Sequence, residues 1–176
     1  MERLKEILHS RNCSCVVENR GAVRIFYNRG IKDLYTIYTT EPNLLCGAKI
    51  ADKVVGKAAA ALMILGGVEC LYTDVISDLA LDLLNNSSIK VSYNRSVPHI
   101  INRAQTDLCP MEKATRNIES LNDIFTEIDN FVRSPAQRYP PAQSHPDKAA
   151  AAGRPARKYW KMTENRRCIF RPYSSR

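Results

Sequence analysis

The run Asp52-Lys53-Val54-Val55-Gly56-Lys57 sets a carboxylate and two ammonium groups immediately ahead of a long apolar stretch. These residue types can hold a polar ligand where a buried helix begins. The spacing predicts a helix over residues 52–65, closed by Gly66-Gly67. Beyond Lys57 that helix is apolar or glycine throughout, so it should be the hub of the core, with only its first turn reaching solvent. Free backbone N–H groups and the helix dipole favour an anion there, a phosphate for instance. Lys53 and Lys57 would flank it from one helix face. Asp52 would cap the helix or contact a ribose hydroxyl or exocyclic amine. The competing reading is an ordinary cap with two lysines laying their stems along apolar surface. Gly56 reads as a close-packing position.

Cys109-Pro110-Met111-Glu112 is a second candidate. Proline at a first helical position puts Cys109 at the N-cap, where the dipole would stabilise a thiolate nucleophile. A small buried residue ahead of a helix would look the same. Glu112 fits a capping-box partner better than a general base. Between the two candidates runs the polar stretch His99 to Asp107, in which Arg103 could bind phosphate and Asn102 or Gln105 a base edge. A surface loop with no such role would have similar composition.

The elements that must position these residues follow from periodicity. Leu4, Ile7 and Leu8 carry helical spacing over residues 2–11, and Cys13, Cys15 and Val17 alternate as in a strand. Asn19-Arg20-Gly21 then turns into a second strand, Ala22 to Tyr27. A helix from Ile31 to Tyr38, a break at Glu41-Pro42-Asn43 and a strand from Leu44 to about Ala48 precede the central helix. After it come strand Val68 to Tyr72, helix Asp78 to Leu84 and strand Ile89 to Tyr93. Helices Pro110 to Ile118 and Leu121 to Val132 close the pattern. A hairpin followed by alternating strands and helices implies a mixed sheet with helices on its faces.

Composition divides the chain. Residues 1–132 hold 15 Lys and Arg against 16 Asp and Glu, whereas residues 133–176 hold 11 against 2, with six of the nine prolines. The net charge of +8 therefore belongs to the tail. The expectation is one domain over 1–132 and a basic, Pro/Ala-rich, disordered tail over 133–176. The start has no signal-like apolar core, and the longest apolar run, Ala58 to Val68, is too short for a bilayer, so the chain reads as cytoplasmic. Six cysteines without CxxC spacing and three histidines offer neither a disulfide framework nor a zinc site. No metal and no cofactor are expected.

The run Ala51-Asp52-Lys53-Val54-Val55-Gly56-Lys57-Ala58-Ala59-Ala60, with Ile89-Lys90-Val91-Ser92-Tyr93, Ile100-Ile101-Asn102-Arg103 and Cys109-Pro110-Met111-Glu112-Lys113-Ala114, resembles a small bacterial family of domains of unknown function. The resemblance covers about residues 3 to 130. It implies a cytidine-deaminase-like fold, a three-layer α/β/α sandwich on a mixed sheet of about five strands. Zinc deaminases of that fold place a His or Cys and a catalytic Glu at one helix start and Pro-Cys-x-x-Cys at the next. Here Ile50-Ala51-Asp52 and Ser77-Asp78-Leu79-Ala80-Leu81 stand in those places without a zinc ligand. An active zinc deaminase is not expected.

Three readings of different kinds follow. The leading one is a domain binding a nucleotide or related phosphorylated small molecule at the start of the central helix, through Asp52, Lys53 and Lys57, with Asn102 and Arg103 nearby. The second is a metal-independent enzyme using Asp52 or Cys109. The third is an interaction module in which Arg157 to Lys161 and Arg166 to Arg171 of the tail meet nucleic acid or an acidic partner. Away from the tail no nucleic-acid partner is expected, and oligomeric state cannot be read.

Overall fold

A computed structural model describes residues 1–134 apart from Arg29 and Arg103, together with the backbone of residues 160–162 and 168–170. Helix α1 (Glu2–Ser10) leads into the hairpin β1 (Cys15–Asn19) and β2 (Ala22–Phe26). Arg20 and Gly21, both at positive φ, form the tight turn that matches strand twist. Helix α2 (Lys32–Thr40) and a 3-10 turn (Pro42–Leu44) then precede β3 (Lys49–Val55), α3 (Lys57–Gly66), β4 (Cys70–Ser77), α4 (Asp78–Asn85) and β5 (Lys90–Val97). Helices α5 (Pro110–Thr115) and α6 (Leu121–Arg133) follow.

The sheet order is β2-β1-β3-β4-β5. Strand β1 runs antiparallel to both neighbours, while β3, β4 and β5 are parallel. Parallel neighbours need a crossover, and α3 and α4 supply it. Helix α3 packs against α2, α4, α5 and α6 in one layer. Its Ala60, Ala61, Leu62 and Met63 are wholly buried, as a helix without a polar face requires. The other face of the sheet carries α1, whose Leu4 and Leu8 close a smaller core with Cys13, Val16, Ala51 and Tyr72. Three layers result, α/β/α in order, around a mixed five-stranded sheet.

Two expectations near the candidate site are corrected. No strand covers Leu44 to Ala48; Pro42 opens a 3-10 turn there, and the strand follows at Lys49–Val55. The central helix does not begin at residue 52 but at Lys57, with Gly56 at its N-cap. Residues 49 to 55 are claimed by ladders on both sides, Asp52 lying opposite Cys15 on β1 and Thr73 on β4. Tertiary pairing thus outweighs the helical spacing, and the β-branched pair Val54-Val55 favours the strand.

The pairing of β3, β4 and β5 has a break at one level. Asp52 pairs with Thr73 and Val54 with Val75, but Lys53 and Asp74 form no rung. Thr73 pairs with Tyr93 and Val75 with Arg95, again without Asp74 and Asn94. Before the break, Ile50 and Leu71 face the helical core while Ala51 and Tyr72 face α1. After it, Val55 and Ile76 face the helical core, a spacing of five that strict alternation forbids. The alternation therefore slips by one residue in neighbouring strands at the same height. That slip leaves Val54 46% exposed within a central strand. Asp74 ties the level together, accepting from the Tyr72 hydroxyl at 2.8 Å and the Asn94 amide at 3.3 Å, with His9 Nε2 3.0 Å away.

In the tail, Trp160–Met162 and Cys168–Phe170 pair antiparallel as β6 and β7, so these short segments are strands. The expected disorder of the remaining tail, and the basic and aromatic side chains proposed as contacts, lie outside the described residues. Cys13, Cys15, Cys70 and Cys109 are free thiols.

Candidate functional site

The first turn of α3 is occupied by a carboxylate from another helix. Glu112, on α5, accepts the backbone N–H of Lys57 on Oε2 at 3.1 Å. A Cβ built on Gly56 would sit 2.6 Å from that same oxygen and 3.4 Å from Ile100 Cγ1. The φ of Gly56 is −102°, open to any residue, so glycine is required by space and not by conformation. Glu112 is only 2% exposed, and its Oε1 has no hydrogen-bond partner. Such an oxygen costs folding free energy, of order 1–3 kcal/mol and more if charged. Its position beside unspent amide donors offsets part of this, because the helix end carries partial positive charge.

Lys57 does not reach toward solvent or an anion. It is buried, and its Nζ donates to the Arg116 carbonyl at the end of α5 at 3.0 Å. Lys57 thus donates twice from α3 to the α5 segment, its backbone N–H to Glu112 and its ammonium to the Arg116 carbonyl.

Asp52 is in mid-strand on β3, not at a helix cap. Its Oδ1 accepts the N–H of Val54 at 3.0 Å, two residues on, and Thr73 beside it donates through Oγ1 to the Val75 carbonyl at 2.9 Å. Both side chains satisfy backbone groups next to the rung missing from the ladder. The residue as a whole is half-buried while its carboxyl end is enclosed. Burial pushes that carboxyl up to about 7, the Val54 N–H pulls the other way, and the nearby Asp33 charge adds to the rise. Across the β1–β3 pair the Cys15 thiol faces Asp52; burial, with Asp52 next, pushes it well above its ordinary value. Asp33 is held by Asn28, through its backbone N–H at 2.9 Å and its side-chain amide at 2.6 Å.

The other expected site residues scatter. Lys53 lies on the α1 side of the sheet, its Nζ donating to the Asn12 side-chain oxygen and its backbone N–H to the Ser14 carbonyl at 3.1 Å. It therefore faces away from Asp52 and shares no helix face with Lys57. Asn102 is spent within its own loop, bonding the Thr106 backbone N–H at 3.1 Å and hydroxyl at 3.2 Å. Arg103 lies outside the described residues. Cys109 is the N-cap of α5 without a side-chain cap bond, half-buried against the helical core, with its N–H on the Ile100 carbonyl at 2.8 Å. That last bond displaces the expected capping box and frees Glu112 to cap α3 instead. Sequence reasoning missed this role because the two partners are 55 residues apart. Gly56 at a helix start was the available signal.

Among the described residues no three His, Cys, Asp or Glu side chains converge to hold a metal ion. At the start of α3 stand Val55, Gly56 and Lys57, and at the start of α4 Ser77, whose hydroxyl accepts the Ala80 N–H at 3.2 Å. None has a thiolate or imidazole. No described helix is long and apolar enough to cross a membrane.

Comparison with known proteins agrees with this architecture. A crystal structure of a DUF1893 family protein (TM1506) from Thermotoga maritima superposes with a TM-score of 0.68 at 23% identity, covering 73% of this chain and 87% of that one. No curated protein matches. The model of the domain of unknown function DUF1893 matches residues 3–132. The chain therefore belongs to the DUF1893 family.

Proposed function

We propose that the domain binds a nucleotide or a related small molecule in the crevice beyond the C-terminal ends of β3, β4 and β5, on a cytidine-deaminase-like scaffold. Support for the scaffold is the order β2-β1-β3-β4-β5 with β1 reversed, with the crossover helices opening at the strand ends. Open α/β sheets bind ligands outside those ends, beside the point where strand order reverses. The observation that carries the binding reading is the buried, unpartnered Glu112 Oε1 at that place. The cap on α3 uses only the other oxygen, which leaves this one for a ligand.

The phosphate moves in this reading. The α3 amides already face a carboxylate, so the anion of a nucleotide would lie elsewhere in the crevice. The test is native mass spectrometry of the purified chain, followed by calorimetric titration with nucleosides, their 5′-monophosphates and inorganic phosphate. A retained nucleotide-like mass or saturable nucleoside binding supports the reading. An apo mass with no binding across the panel ends it.

A metal-independent enzyme is the second reading, favoured by Asp52, whose carboxyl changes charge near neutrality as a general base must. An Asp52→Asn chain that turned over a bound ligand as fast as the native one would dispose of it.

A further inference from the structure

We infer that the start of α3 recognises the hydrogen-bond-donor edge of its ligand, an amine, amide or amidine N–H, through Glu112 Oε1. The inference rests on the binding reading above and specifies which end of the ligand enters.

Glu112 presents one oxygen that is engaged and one that is not. Oε2 takes the Lys57 N–H, while Oε1 is buried beside the same helix end without any partner. The nearest cation on α3 is committed elsewhere, the Lys57 ammonium being bonded to the Arg116 carbonyl. A phosphate arriving here would set a second negative charge beside the carboxylate and compete for the same amide, which is unfavourable on both counts. A ligand N–H would add the missing bond and displace nothing. A carboxylate oxygen only accepts, so the complementary group must donate. Glycine at position 56 leaves room for the carboxylate, since a Cβ there would sit 2.6 Å from Oε2. The segment next to this helix end reaches solvent on either side of Ile100, His99 and Ile101 both being exposed, Ile101 at 58%.

The test is calorimetric titration of the full chain with three nucleoside pairs that differ in an exocyclic amine: adenosine and purine riboside, guanosine and inosine, cytidine and uridine. At least one amine-bearing member should bind about tenfold or more tightly than its partner, the loss expected when a buried acceptor goes unpaired. In Glu112→Gln the preference should collapse toward equality, and inorganic phosphate should not compete. Nucleoside binding with every pair equal overturns the inference and leaves the binding reading standing. So does discrimination unchanged in Glu112→Gln, or competition by inorganic phosphate. Absence of all binding removes both. If Glu112→Gln fails to fold by circular dichroism, the native chain's pair ratios and its phosphate competition decide the question alone.

Discussion

Gly56 and Glu112 are complementary in shape: the carboxylate of one fills the volume that the other leaves by having no side chain, with 2.6 Å between Oε2 and the position of a Cβ. The pair joins the start of the central helix to a helix far along the chain, and several consequences can be measured.

Gly56→Ala should destabilise the domain by about 1–3 kcal/mol, the cost of overpacking a filled site. The backbone tolerates alanine, so the cost is steric and depends on Glu112. In the double variant with Glu112→Ala the added loss from position 56 should largely vanish. Urea midpoints of the four chains would show the coupling; strictly additive losses would mean the two residues do not compete for one space.

Lys57→Met keeps the stem and removes the ammonium, leaving the Arg116 carbonyl without its donor. A loss of about 1–3 kcal/mol is expected in urea denaturation. Inorganic phosphate should bind neither chain in calorimetry. A phosphate site abolished by this substitution would restore Lys57 to the ligand-binding role that its spacing first implied.

Asp52 should make stability fall with rising pH. Its carboxyl is 3.8 in the unfolded chain and about 7 when folded, so between these values the native state holds the extra proton. Stability then declines as pH rises from about 4 to about 7 and levels off above. Asp52→Asn can still accept the Val54 N–H and carries no charge. It should exceed the native chain by on the order of 1–2 kcal/mol at pH 8, partial exposure reducing the full effect, with the gain gone near pH 4. Equal urea midpoints at both pH values would rule out a raised carboxyl.

Cys15 should resist alkylation in the folded protein. Its thiol is 3% exposed and burial holds it protonated well above its ordinary value. Iodoacetamide at pH 8 followed by peptide mass mapping should leave Cys15 unmodified until denaturant is added. Rapid native labelling would mean that the β1–β3 pair opens readily.

Much of the fold was legible because periodicity and turn chemistry acted together. Leu4 and Leu8, the Asn19-Arg20-Gly21 turn and Gly67 at the end of α3 all signal locally what the structure does. The β3–α3 junction was misread because its local signals conflict. Lys53 and Lys57 have helical spacing, but the ladders to β1 and β4 decide the matter, and no local pattern reveals a ladder. The site suffered most from this. Asp52, Lys53 and Lys57 were grouped by a helix that does not include two of them, and the strand sends Asp52 and Lys53 to opposite faces. Glu112 looked like the cap of its own helix because a capping box is a local motif. Its real partner could be found only once the chain had folded back on itself.

The missing rung at Lys53, Asp74 and Asn94 crosses three strands and binds the lengths of β3 and β4 to one another. Beyond that height the sheet is turned over, so the tips of β3 and β4 serve the opposite core from the one their parity would assign. One residue gained or lost below the slip in a single strand would send Val55 or Ile76 to the wrong side while its neighbour stayed in place. These two strands can change length only in concert. Insertions and deletions in relatives of this chain should therefore be confined to the connections, and the height of the slip should mark a fixed line across otherwise divergent sheets.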